Sequence, residues 1–278
     1  MLCRGSNKAL VVYKPTAECA ELASAAGRSL KSNGIDVYML TVDDISALKE
    51  PLTWVGELDF FVSVGGDGTF MRVSKIASPT SLILPYPCGR RNVYYERELP
   101  PIDKAIEIAL SGDFFLELLP IYSVYYEHAC LRFVNDVVVV SKDLGKVSRY
   151  TVTFSSILTN GVMVFEGDGV IISTSGGSGG HNLSAKGPVI ASTVETLVIT
   201  PMNPLQVGLT SIVVPLLAEV SVSAKNKALV YVDGDFFTEI GEGRKISIPG
   251  DVSYVKIIRF KPSRNIIRAV LEPRRHVF

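Results

Sequence analysis

The chain has 278 residues, with 28 Lys+Arg balanced by 28 Asp+Glu, and 47% of it is hydrophobic. A net charge of zero excludes an overall basic field for nucleic acid or an anionic membrane, so a charged ligand must be met locally. The length suggests two modest domains or one large one, either able to bury a core without disulfide staples. Cys3, Cys19, Cys88 and Cys130 are scattered, with no CxxC pair and no histidine at metal-ligand spacing. They read as reduced thiols of a cytoplasmic protein. The apolar run near the N-terminus is too short for a signal peptide, and no stretch approaches the roughly 20 residues of a membrane span.

In chain order, Ala9–Tyr13 is a short β-branched run that predicts a strand, and residues 17–33 show helical spacing of alanines and leucines closed by Gly34. Asp36–Leu40 reads as a strand, Asp43–Glu50 as a polar segment, and Phe60–Val64 as a buried strand running into Gly65-Gly66-Asp67-Gly68-Thr69. Phe70–Ala77 reads as a helix, Ser81–Leu84 as a strand and Ile102–Leu110 as an amphipathic helix. This β-α-β-α-β punctuation predicts an open α/β, Rossmann-like first domain over 1–115. The texture then changes. Runs at 122–127, 131–140, 150–158, 161–165, 170–173, 196–200, 211–214, 219–224, 229–232, 245–248 and 252–260 are β-rich and separated by turn signals. They predict a mainly β second domain over 116–260, an antiparallel sandwich, with a tail over 261–278 that returns to the first domain.

Four segments carry candidate chemistry. The glycines at 65, 66 and 68 sit between a strand and a helix start, where positive φ and exposed N–H groups would cradle a phosphate. Asp67 would act there as a base toward a hydroxyl or hold a metal, the alternative being a tight turn capped by Asp67. Arg72, one helical turn on, would reach a phosphate or simply face water. Asn135 and Asp136 interrupt a hydrophobic run, as contacts to a polar ligand or as a strand end or bulge. The stretch from Glu166 to Ala185 feeds a strand into a glycine- and hydroxyl-rich loop holding Ser178, Gly179 and His181, then a short helix. That much backbone freedom points to a ligand against the loop rather than a flexible linker. Asp233-Gly234 reads as a hairpin turn.

Together, Gly65-Gly66-Asp67-Gly68-Thr69, the Asn135-Asp136 pair, the Gly167–Pro188 stretch with its glycine-serine loop, and the later Ile199–Met202 and Val232-Asp233-Gly234 resemble the NAD kinase family in order and spacing. The resemblance implies an α/β domain followed by a β domain with a site between them. There the 2′-hydroxyl of the adenosine ribose of NAD receives the γ-phosphoryl of ATP, or of polyphosphate. It implies Asp67 as general base with Gly68 beside it. Gly65, Gly66 and Thr69 would hold the donor phosphates with Mg²⁺, no protein residue being assigned as a metal ligand. Asn135 and Asp136 would contact NAD, and Asp168 would approach the nicotinamide from a neighbouring subunit. Ser184 with the preceding loop would line the adenine end, and Asn203 belongs to the same binding set. A homodimer or homotetramer is implied.

The departures are specific. The family's Asn-Glu pair is Asn135-Asp136 here. Its Pro-Thr-Gly-Ser-Thr-Ala-Tyr run is Ser175-Gly176-Gly177-Ser178-Gly179-Gly180-His181, and Glu166 stands where a basic residue is common. The segment from Leu84 to Tyr95, with Arg90 and Arg91, looks more like diacylglycerol and sphingosine kinases. A lipid or polyol kinase, or a dinucleotide-binding protein without catalysis, therefore stands beside an NAD kinase.

Overall fold

A computed structural model describes residues 7–47, 58–89, 93–96, 98–143, 145–191 and 193–262. The chain divides into two compact units. One holds the described residues up to Leu119 together with Tyr254 onward, and the other runs from Pro120 to Ser253.

In the first unit, β1 (Lys8–Tyr13) leads into α1 (Ala17–Ser32), whose N-cap Thr16 accepts a hydrogen bond from the Cys19 N–H at 3.4 Å. Gly34, at φ 77°, follows the end of that helix. β2 (Asp36–Thr41), α2 (Val42–Ala47), β3 (Phe60–Gly65), α3 (Asp67–Ile76), β4 (Leu82–Pro87) and α4 (Ile102–Ser111) complete an alternating pattern. The parallel strands order as β2-β1-β3-β4. β3 is buried along its whole length, as a central parallel strand covered on both faces must be. Its core gathers Val11, Leu30, Val62, Val64, Leu84 and Ile106.

The second unit is built from the part of β5 (Phe115–Tyr126) after Leu119, with β6 (Ala129–Phe133), β7 (Asp136–Ser141), β8 (Ser148–Ser155), β9 (Asn160–Gly167), β10 (Gly169–Thr174), α5 (His181–Ser184), β11 (Thr196–Met202), β12 (Ile212–Pro215), β13 (Glu219–Ala224), β14 (Ala228–Val232), β15 (Asp235–Ile240) and β16 (Lys245–Ile248). One sheet orders β5-β16-β13-β8-β9, with β6 paired to β5, and the other orders β12-β11-β10-β7-β14-β15. Alternate residues of β13 and β8 join Val137, Val139, Val170 and Ile172 in one core, which is the sandwich expected from the turn-punctuated runs.

Several expectations need correction. The division falls at 119/120 rather than 115/116, and the chain returns to the first unit with β17 (Ser253–Arg259), parallel to β4, rather than within the tail over 261–278. Arg90, Arg91 and residues 263–278 lie outside the described residues. The single strand expected over 131–140 is two, in different sheets, broken at Val134-Asn135. Cys19 and Cys88 are not separate thiols but a disulfide, with Cα atoms 5.7 Å apart. The cause is topological: α1 packs on the sheet so that its first turn lies beside the residue that follows β4.

Candidate functional site

Asp67 is the first residue of α3, and Gly66 before it caps the helix without a side-chain bond, so Asp67 is not the cap of a tight turn. The helix begins three residues earlier than the expected Phe70. Gly65, Gly66 and Gly68 do not adopt positive φ, contrary to the sequence reading. Gly65 is required by proximity instead: a Cβ there would stand 2.3 Å from Thr69 Oγ1. Thr69 is buried, and its N–H donates to the Gly66 carbonyl at 2.9 Å, tightening the first turn.

The Asp67 carboxylate is half-buried and gripped by backbone. The Val93 N–H donates to Oδ2 at 3.1 Å and the Tyr94 N–H to Oδ1 at 3.0 Å. An N–H on each oxygen orients the plane of the carboxylate. The Tyr95 hydroxyl donates to the Gly66 carbonyl at 3.0 Å and lies 3.1 Å from the Ser63 hydroxyl. Burial pushes the Tyr95 phenol well above its ordinary range, and the Asp67 charge adds to the shift. Phe70 stacks on Tyr94, with centroids 4.7 Å apart, and meets Tyr95 edge-on. Arg72 lies over Gly68, and its Nε donates to the Ser46 hydroxyl of α2 at 2.8 Å, so the guanidinium braces two helices.

In the second unit Asn135 and Asp136 stand at the break between β6 and β7, the strand end among the alternatives above. Asp233, in the β14–β15 hairpin at φ 50°, organises that break. Its carboxylate accepts from the N–H groups of Val134 at 3.0 Å, Asn135 at 2.7 Å and Asp136 at 3.1 Å. The sequence marks Asp233 first as a hairpin-turn residue; the signal for its wider role is an acceptor side chain at a position that tolerates left-handed backbone. Asp136 is buried and Asn135 half-buried.

The glycine-serine loop is an ordered scaffold. None of Gly176, Gly177, Gly179 or Gly180 has positive φ. A Cβ at Gly177 would meet the Asn135 carbonyl oxygen at 2.3 Å, so this glycine serves close packing rather than freedom. Ser178 is fully buried; its hydroxyl donates to the Ser175 carbonyl at 2.7 Å and accepts from the Ile190 N–H at 2.9 Å. The ligand contact expected of Ser178 is therefore replaced by an internal role. Asn182, which sequence reading passed over, is buried too. It donates to the Ser178 and Pro188 carbonyls and accepts from the Thr200 hydroxyl at 2.6 Å. With those side chains turned inward, Gly180, His181 and Ser184 are exposed and Gly179 is half-buried, on one short stretch.

Asp168 and Asn203, separately expected in the binding set, are brought together. The Asn203 amide, on a residue at φ 45°, donates to the exposed Asp168 carboxylate at 2.8 Å. Both flanking glycines are demanded by neighbouring backbone: a Cβ at Gly167 would meet the Met202 oxygen at 2.7 Å, and one at Gly169 the Val139 oxygen at 2.6 Å. The Tyr150 hydroxyl donates to the Asp168 carbonyl at 3.0 Å, and burial, with the Asp168 charge, pushes its pKa up to about 12. Glu166 is paired with Arg149 across β9 and β8 at 2.9 Å, which offsets its charge. No three His, Cys, Asp or Glu side chains gather into a metal cluster among the described residues.

The sequence profile of the ATP-NAD kinase C-terminal domain matches residues 134–260. An NAD kinase of Aeropyrum pernix is 31% identical over 265 residues, covering 91% of this chain and 92% of that protein. An NAD kinase of Thermococcus sibiricus is 27% identical over 264 residues, covering 90% and 93%. Among solved structures, an NAD kinase from Archaeoglobus fulgidus in complex with ATP matches with a TM-score of 0.74 at 24% identity, over 95% of this chain and 98% of that one. Yeast NADH kinase complexed with NADH matches with a TM-score of 0.79 at 16% identity, over 97% and 87%. At these identities the two structures speak for the fold.

Proposed function

The chain belongs to the NAD kinase family, and on that premise we propose that it transfers the γ-phosphoryl of ATP to the 2′-hydroxyl of the adenosine ribose of NAD, with Asp67 as general base. The hydroxyl oxygen forms a bond to the γ-phosphorus, the bond from that phosphorus to the β,γ-bridging oxygen breaks, and the hydroxyl proton passes to the Asp67 carboxylate. The products are NADP and ADP. Phosphoryl transfer asks chiefly for positioning and charge stabilisation. The observation that carries the assignment is the Asp67 carboxylate, held by the Val93 and Tyr94 amides at the start of α3. A carboxylate oxygen can accept more than one hydrogen bond, so being gripped by backbone N–H groups is compatible with a proton-accepting role.

The Gly65–Thr69 turn would face the donor phosphates, with the start of a helix favouring negative charge. Magnesium suits this chain as a companion of the donor, because Mg²⁺ keeps several waters and is commonly bound through substrate phosphates and one or two carboxylates rather than a protein cage. Asp67 is the carboxylate placed to assist, and the ion would supply charge neutralisation on the phosphates. In the second unit, Asn135 and Asp136 would hold the ribose and amide groups of NAD, and the exposed Gly179, His181 and Ser184 would meet its adenine end. Asp168 with Asn203 would meet its nicotinamide end in a cytoplasmic homo-oligomer.

The test is NADP formation by the purified protein with NAD or NADH, Mg²⁺, and ATP or polyphosphate. ATP and NAD are expected to support turnover. Asp67→Asn is expected to lower kcat by about a thousandfold or more, the scale of a lost general base together with its positioning, while NAD still binds. Substantial turnover in Asp67→Asn would remove Asp67 from the base role, and no NADP from a folded wild-type protein with either donor would overturn the activity.

A further inference from the structure

Arg259, the last residue of β17, is 3% exposed, and taking a guanidinium out of water is costly unless it is paired and hydrogen-bonded. Its Nε donates to the Glu117 carboxylate, and one terminal nitrogen donates to the Tyr94 carbonyl at 2.9 Å. Tyr94 is thereby held at both ends, its N–H on Asp67 and its carbonyl on Arg259. The same segment is tied to the end of β17 a second time. Glu96 accepts from the N–H groups of Phe260 at 3.1 Å and Lys261 at 3.0 Å, and Glu98 pairs with the Lys261 ammonium. On its other side the Tyr94 ring stacks on Phe70 of α3, the helix that Asp67 begins.

We propose that Arg259 is a positioning residue for Asp67, acting through Tyr94. The proposal rests on the reading of Asp67 as the base. A carboxylate at the end of one rotatable side chain turns readily about its last bond, and a proton acceptor must present one oxygen to the hydroxyl in a narrow range of angles. The paired Val93 and Tyr94 amides set that orientation, and the described residues 93–96 that carry them belong to no helix or strand. Arg259 anchors that segment on the side of Tyr94 away from Asp67. Its planar fork spans an acidic partner and a carbonyl at once, which a lysine cannot reproduce. The arrangement also accounts for the return of the chain to the first unit: β17 delivers Arg259, Phe260 and Lys261 to the segment that grips Asp67.

The test uses the full chain carrying Arg259→Met or Arg259→Lys. Misplacement of a catalytic group by about 1 Å costs up to about a hundredfold in rate, so Arg259→Met is expected to lower kcat by about 10- to 100-fold, with KM for NAD and ATP changed by less than about threefold. Hydrogen exchange at the Val93 and Tyr94 amides is expected to accelerate, while the β3 amides stay protected. If Arg259→Met does not fold, Arg259→Lys carries the test. It keeps a cation for Glu117 but loses the fork, and a kcat loss in the same sense is expected. A folded variant with wild-type kcat would overturn the proposal, as would a kcat loss with unchanged exchange at Val93 and Tyr94, or a rise in KM that accounts for the loss. Should the wild type make no NADP, the functional reading fails, and the exchange measurement alone decides whether Arg259 holds the segment.

Discussion

Asp233 gathers three consecutive backbone amides, those of Val134, Asn135 and Asp136, onto one carboxylate, and its own N–H donates to the Asp136 carbonyl at 2.9 Å. Amides at a strand break have no ladder partner, and leaving such groups without one while shielded from water costs about 1–3 kcal/mol. Asp233→Ala is therefore expected to lower unfolding stability by about 2–3 kcal/mol and to weaken NAD binding, because the displaced segment carries Asn135 and Asp136. Asp233→Asn keeps one acceptor oxygen and a side chain that tolerates left-handed backbone, so its loss should be smaller. Urea denaturation of both variants, with NAD titration, makes the check; an alanine variant within about 0.5 kcal/mol of wild type, the range of neutral surface changes, would show that water replaces the carboxylate.

Among the elements, the disulfide between the first turn of α1 and the residue after β4 spans 69 positions of sequence. A cross-link closing a loop of that size restricts the unfolded chain by about 4 kcal/mol in the chain-entropy account, with 2–4 kcal/mol typical of measurement. Both cysteines are buried, while Cys130 is exposed. Alkylation of the folded, unreduced protein should leave Cys19 and Cys88 unmodified and modify Cys130, and Cys88→Ala should lower stability by about 2–4 kcal/mol; labelling of Cys19 and Cys88 without reductant would exclude the cross-link. Nothing local in the sequence announces such a pairing, since each cysteine stands alone and only the packing of α1 on the sheet brings them together. At Val134-Asn135 the polar Asn135-Asp136 pair marks a strand end as one of its readings, but that β6 and β7 then lie in different sheets is a long-range fact that no local pattern carries. In contrast, the alternation of strands and helices to Ser111 was legible because glycine, proline and capping residues punctuate it. So was the Gly65–Thr69 turn, although its glycines answer to crowding and not to positive φ. Ser178 and Asn182 could not be sorted from Gly179 and His181 in advance, because in a loop without a period no rule states which side chains turn inward.

At the scale of the molecule, each unit places a tyrosine against a carboxylate-bearing residue of its own site. Tyr95 bonds to the Gly66 carbonyl beside Asp67, and Tyr150 bonds to the Asp168 carbonyl. Burial is the first cause of both upward pKa shifts, and the Asp67 and Asp168 charges add to them respectively. In the unfolded chain both phenols ionise near their ordinary value of about 10. The folded protein retains these protons to higher pH, so above that value it binds more protons than the unfolded chain, and stability must fall as pH rises. Below about pH 10 the contribution is fully present; it is lost as pH rises toward and through the folded values, which for Tyr150 is about 12. Stability curves from pH 7 upward should therefore show no loss from these groups until about pH 10 and a progressive decline beyond it. Of the 11 tyrosines, Tyr95 and Tyr150 should be late to develop tyrosinate absorbance while the fold persists. Tyr95→Phe and Tyr150→Phe should each remove one late-titrating phenol and flatten part of the alkaline decline. Because Tyr95 reports on the first unit and Tyr150 on the second, the two variants separate the alkaline response of the Asp67 turn from that of the Asp168 turn. Early ionisation of either phenol in the folded protein would mean that its turn opens to water before the unit around it unfolds.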